Sequence, residues 1–200
     1  MKTPEFLKKN PNGKVPVLET PNGKFIWESN AILRYIARLD KSRGLYGRDP
    51  VEEAQVDQWI DWFATNYEKD FYLATSPNTG RNLQLTKEEQ KQALERLLEG
   101  FKVLENHLRL NTTLVGNRIT IADISIAAIL TIAFRFVWDE KFRNKNIPNI
   151  TRWYEYLINQ EPFKKVYGRP VLCKKGFDRT LFEEKNIKHE DKAAAAPKKK

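Results

Sequence analysis

From Ile124 to Val137 the chain carries a single charged residue, Arg135, and would be apolar on every side of a helix. It falls well short of the roughly 20 apolar residues that cross a bilayer, so it has to lie at the centre of a helical layer, enclosed by other helices. The sequence supplies them. Asp49-Pro50-Val51-Glu52-Glu53 sets a cap, a first-turn proline and two acids in the order that opens a helix, and a long one is expected through Trp59, Trp62 and Phe63. Thr86-Lys87-Glu88-Glu89 is a capping box, followed by Leu94, Leu97, Leu98, Phe101, Leu104 and Leu108 at three- and four-residue spacing. Thr120-Ile121-Ala122-Asp123 opens the central helix, and Pro148 to Ile158 gives another. With 40% apolar residues and five Trp the chain can bury a sizeable core.

The first 40 residues read differently. Lys14 to Glu19 and Lys24 to Trp27 are short apolar-rich runs around Thr20-Pro21-Asn22-Gly23, a hairpin whose Asn-Gly supplies left-handed backbone. Ser29 is expected to cap a helix bearing Ile32, Leu33, Tyr35, Ile36 and Leu39. Two strands make a marginal sheet, so the hairpin needs further strands from upstream residues or a partner. After about residue 182 periodicity is lost. The ending Ala193-Ala194-Ala195-Ala196-Pro197-Lys198-Lys199-Lys200 buries too little apolar area to fold, and 183–200 is expected to be a disordered linker.

Several chemistries are excluded at this level. One cysteine, Cys173, allows no internal disulfide, and His107 and His189 are too far apart in sequence for metal-ligand spacing. No secretory signal opens the chain, which points to a cytoplasmic protein. The net charge is +9, of which residues 183–200 contribute +2 (six Lys against four acids). The remaining +7 is scattered among acids without a stripe of interleaved aromatics, so weak RNA or ribosome contact fits better than specific nucleic-acid recognition, and DNA and membrane are not expected.

Asn10-Pro11-Asn12-Gly13-Lys14-Val15-Pro16-Val17-Leu18-Glu19 followed by Glu28-Ser29-Asn30-Ala31-Ile32 resembles the second half of the glutathione-binding domain of the glutathione transferases. The resemblance implies an α+β to mainly α fold: a partial thioredoxin-like domain over 1–40, then an all-α domain over 49–182. It implies a cis bond before Pro16, main-chain pairing of Val15, flanked by Lys14, with the cysteinyl part of glutathione, and contacts of Glu28 and Ser29 with its γ-glutamyl end. A carboxylate there suits the ligand's ammonium, and a hydroxyl with helix N-terminal N–H groups suits its carboxylate. Glutathione is thus a possible ligand, with no cofactor required and no metal. Thr120 and Asp123 match the family's structural capping motif. The residue that activates the thiol lies upstream of anything matched, so no catalytic residue can be named and an enzyme is not the favoured reading.

Lys2-Thr3-Pro4-Glu5-Phe6-Leu7-Lys8, Thr113-Leu114-Val115-Gly116, Asn159-Gln160-Glu161-Pro162-Phe163-Lys164-Lys165-Val166 and Val171-Leu172-Cys173 resemble the elongation factor 1 gamma branch. That branch implies a scaffold for exchange-factor subunits in translation elongation, with dimerisation a further expected contact. An N-terminally truncated glutathione transferase and a docking appendage of a synthetase complex are the competing readings. Arg34, Lys69, Arg135 and Trp138 to Arg143 are unranked docking candidates. Trp59, Trp62, Trp153 and Tyr154 are expected in the core, and Cys173 is expected to be inert.

Overall fold

A computed structural model of the chain describes residues 2–76, 85–168 and 171–175, and the proposed linker at 183–200 lies outside them. The order is α1 (Pro4–Lys9), β1 (Val17–Glu19), β2 (Phe25–Trp27), α2 (Ser29–Leu39), a 3-10 turn (Lys41–Arg43), α3 (Pro50–Asn66), α4 (Glu68–Thr75), α5 (Lys87–Leu110), α6 (Ile121–Phe136), α7 (Glu140–Asn146), α8 (Pro148–Ile158) and α9 (Glu161–Tyr167). None of these helices is long and apolar enough to cross a membrane.

The capping signals place the helices. Asp49 accepts from the N–H groups of Val51 and Glu52 with Pro50 behind it, and Thr86 and Glu89 close their box reciprocally. The long helix through Trp59 does not run on: it breaks at Tyr67 (φ −127°, ψ −18°) and resumes as α4. Gly100 of α5 accommodates the Tyr67 ring, because a Cβ there would stand 2.2 Å from its Cε1.

The core centres on α6, which buries Ile121, Ala122, Asp123, Ser125, Ile126, Ala127, Leu130, Ala133 and Phe134. One side of α6 escapes enclosure, with Phe136 49% exposed. Trp138, just beyond α6, is an aromatic hub. Its ring meets Phe71, Phe101 and Phe134 edge-on and stacks on Phe142. Trp138 is therefore a core residue and not a docking candidate. Arg143 is buried too, donating to the carbonyls of Trp138 and Cys173, which pins the segment 171–175 against α7. Trp59, Trp153 and Tyr154 are buried as expected, and Trp62 packs partly buried against the core.

The hairpin is shorter than the apolar runs, because pairing is confined to Val17↔Trp27, Leu18↔Ile26 and Glu19↔Phe25. Thr20 closes the turn: its N–H donates to the Lys24 carbonyl and its Oγ1 accepts from the Lys24 N–H, while Gly23 (φ +72°) takes the left-handed position. Among described residues 2–40 only Asn10, Thr20 and Ala37 are buried, so this unit has no core of its own. It is held by docking. Ser125 Oγ of α6 bonds Asn30 Oδ1 at 2.8 Å, and the Arg34 guanidinium reaches Asp57 (2.6 Å) and Asp61 (2.7 Å) of α3. Tyr46 donates to the second Asp57 oxygen, and the Arg38 guanidinium lies over the Tyr46 ring. Arg34 is thus committed inside the molecule rather than offered to a partner.

Candidate functional site

The antiparallel pair Val17↔Trp27 sets Lys14-Val15-Pro16 and Glu28-Ser29 at the same end of the hairpin. Asn10 builds the first of these segments. It is buried, donates from Nδ2 to the Lys14 carbonyl (2.7 Å) and accepts from the Asn12 N–H (3.0 Å). The Val15–Pro16 bond is cis, as the resemblance implies. Val15 is 60% exposed, and neither its N–H nor its C=O has a hydrogen-bond partner among the described residues. An open main-chain donor and acceptor on one residue is what an extended peptide needs in order to pair as an added strand. Pro16 and the Lys14 side chain are exposed beside it.

The second segment differs from the expectation in one respect. Ser29 does not cap α2; it is the first helical residue, and Glu28 occupies the cap position without a side-chain capping bond. The physical reason is the backbone of Glu28, at φ 72°, ψ 117°. It turns the chain so sharply into α2 that the Ser29 hydroxyl lies inside the first turn. A positive φ at a non-glycine residue costs about 1–3 kcal/mol and is kept where the surroundings enforce it. The exposed Glu28 carboxylate, the Ser29 hydroxyl and the first-turn N–H groups of α2 share this end of the hairpin, a pairing of one anionic acceptor with an anion-favouring helix start.

Thr120 and Asp123 lie elsewhere, in the bundle core. The Asp123 carboxylate accepts from Thr120 N–H (2.9 Å), Thr120 Oγ1 (3.1 Å), Leu114 N–H (2.9 Å) and Trp153 Nε1 (2.8 Å). Burial pushes its carboxyl up from the usual range, against the four donors that pull it down. This knot joins the 113–116 loop, the start of α6 and α8; its role is structural. The capping box was legible, but the Trp153 bond, 30 residues on, had no sequence signal. Cys173 is buried and its thiol pushed up by that burial, with Sγ donating to the Lys175 carbonyl, so it is a poor nucleophile. Among the described residues no group of three or more His, Cys, Asp or Glu could hold a metal ion.

Two family models match this architecture: the glutathione S-transferase N-terminal domain over residues 1–38 and the glutathione S-transferase C-terminal domain over 56–161. The chain belongs to the glutathione S-transferase family. Within it, the chain is 37% identical over 205 residues to probable elongation factor 1-gamma 1 of Arabidopsis thaliana, covering 98% of this chain and 49% of that one. Elongation factor 1-gamma-B of Xenopus laevis is 39% identical over 204 residues, with 99% and 46% covered. The chain spans about half the length of these curated relatives. Among solved structures, the GST-like domain of elongation factor 1-gamma from Saccharomyces cerevisiae superposes with a TM-score of 0.75 at 23% identity, covering 87% of this chain and 81% of that one, a likeness of fold. The glutathione transferase URE2P6 of Phanerochaete chrysosporium, solved with oxidized glutathione, superposes at 0.74 with 26% identity, covering 83% and 77%.

Proposed function

We propose that this chain is the transferase-like assembly module of an elongation factor 1 gamma subunit, scaffolding exchange-factor subunits during translation elongation. The observation that carries the reading is similarity to elongation factor 1-gamma proteins over nearly the whole chain. The surface suits docking: Leu39, Val51 and Val166 are each at least two-thirds exposed, and the net charge of +9 favours encounter with acidic partners. The test is light scattering of the purified chain with an exchange-factor subunit. A stable complex supports the reading, and two separate species refute it.

A second reading, a transferase that conjugates glutathione to electrophiles, is favoured by the unpaired main chain of the exposed Val15 and by the turn at Glu28. On either reading glutathione is the ligand proposed for this end of the hairpin. Val15 pairs with its cysteinyl part, Glu28 with its ammonium, and Ser29 with its γ-glutamyl carboxylate.

A further inference from the structure

The Lys14 C=O and the Val15 N–H are the two ends of one trans peptide unit, and such a unit is planar. Whatever grips the oxygen therefore sets the direction of the N–H. Among the described residues Asn10 grips it, donating from Nδ2 to the Lys14 carbonyl at 2.7 Å. In a trans unit the two bonds point in opposite directions. The N–H is thus left facing away from Asn10, unpaired, on a residue 60% exposed.

Asn10 is built for that grip. It is 3% exposed, whereas Pro11, Asn12, Lys14 and Val15 around it are all exposed. Its main-chain N–H closes α1 on the Phe6 carbonyl, and its own carbonyl accepts from the Gly13 N–H. Its Oδ1 accepts from the Asn12 N–H at 3.0 Å while Nδ2 takes Lys14. Gly13, at φ +63°, turns the chain back so that Lys14 comes within reach. The helix that carries Asn10 is tied to the hairpin, with the Lys9 ammonium 5.3 Å from the centre of the Phe25 ring of β2. A carboxamide fills both side-chain roles, donating at one atom and accepting at the other; an ionised carboxylate of the same shape only accepts.

The geometry points to Asn10 as the residue that positions the Val15 N–H for the ligand at this end of the hairpin. A donor bonded to the carbonyl also polarises the peptide unit, which makes its N–H a stronger donor. Asn10 acts through the Lys14–Val15 peptide and touches no ligand itself. The inference rests on glutathione as that ligand, and it names the group that aims the main-chain donor at the cysteinyl carbonyl.

The test is calorimetry of glutathione with the full chain and with its Asn10→Asp and Asn10→Ala variants, at neutral pH and in steps towards acid. Asn10→Asp keeps the shape and the acceptor for Asn12 but loses the donor, and should bind about tenfold more weakly at neutral pH, the effect of one hydrogen bond lost. On acidification the carboxyl group of Asn10→Asp takes up a proton and can again donate to Lys14, so its gap from the parent should close. Asn10→Ala has no group to protonate, and its gap should persist at every pH. Hydrogen exchange of the Val15 amide, slowed by glutathione in the parent, should stay fast in Asn10→Ala, and in Asn10→Asp at neutral pH. Circular dichroism and the α6 amide signals report the fold; if Asn10→Asp loses it, the Val15 amide in Asn10→Ala decides. Equal affinity of parent and variants, a loss in Asn10→Asp that acid does not reverse, or a Val15 amide that glutathione still protects in Asn10→Ala each overturns the positioning role and leaves glutathione as the ligand. No binding of glutathione to the parent overturns the ligand reading and this role with it.

Discussion

Replacing Asp123 by Ala removes the shared acceptor of four donors. Leu114 N–H and Trp153 Nε1 lie on residues that are buried, at 2% and 0% exposure, and both lose their partner. Each buried donor left unsatisfied costs about 1–3 kcal/mol, and losing the capping interaction with Thr120 adds about 1 kcal/mol, giving about 3–7 kcal/mol for the two donors and the cap. That is a large part of the 5–15 kcal/mol typical of a folded domain. Urea unfolding followed by tryptophan fluorescence measures it; a loss below about 1 kcal/mol would refute the knot as a main fastener. The effect also depends on pH. Because burial holds the folded Asp123 pKa above its unfolded value, the native state retains a proton between the two. The stability linked to that proton is fully present below the unfolded pKa and is lost as pH rises through the folded one. The wild-type advantage over Asp123→Ala should therefore widen on acidification.

Gly100→Ala should destabilise by about 1–3 kcal/mol, since the new methyl overlaps the Tyr67 ring, which packs against Trp62 at 4.8 Å. In the double variant Tyr67→Ala/Gly100→Ala most of that penalty should vanish, and additive losses would contradict the clash. Arg34→Ala frees Asp61 and leaves Asp57 with Tyr46 alone, so hydrogen exchange of α2 and the hairpin should quicken by about tenfold while α6 is little changed. Cys173 should react slowly with a maleimide in native protein and rapidly in urea; equal rates would contradict its burial.

The helices were legible where caps and periodicity agreed. Asp49-Pro50, Thr86 with Glu89, and Thr120 with Asp123 each fix a start by bonds within a few residues, and local bonds leave local signals. The break at Tyr67 and the short α7 and α9 were not legible, because the first depends on a ring seated over Gly100 and the others on a single buried residue each, Arg143 and Phe163. Long-range partners mislead for the same reason. Arg34, Trp138 and Arg143 read as surface candidates until Asp57, Phe71 and the Cys173 carbonyl were brought beside them. At the hairpin, Val15, Pro16 and Glu28 came from a resemblance, whereas the positive φ that moved Ser29 from cap to first turn has no composition signal in a Glu-Ser pair.

Assembly, the role proposed for this transferase fold, is open to measurement. It is tested most directly by titrating an exchange-factor subunit into the chain in a calorimeter, with and without saturating glutathione. An assembly module should form a complex whose affinity is the same in both titrations. No binding to the subunit, with glutathione binding and conjugation to an electrophile detected instead, would contradict it.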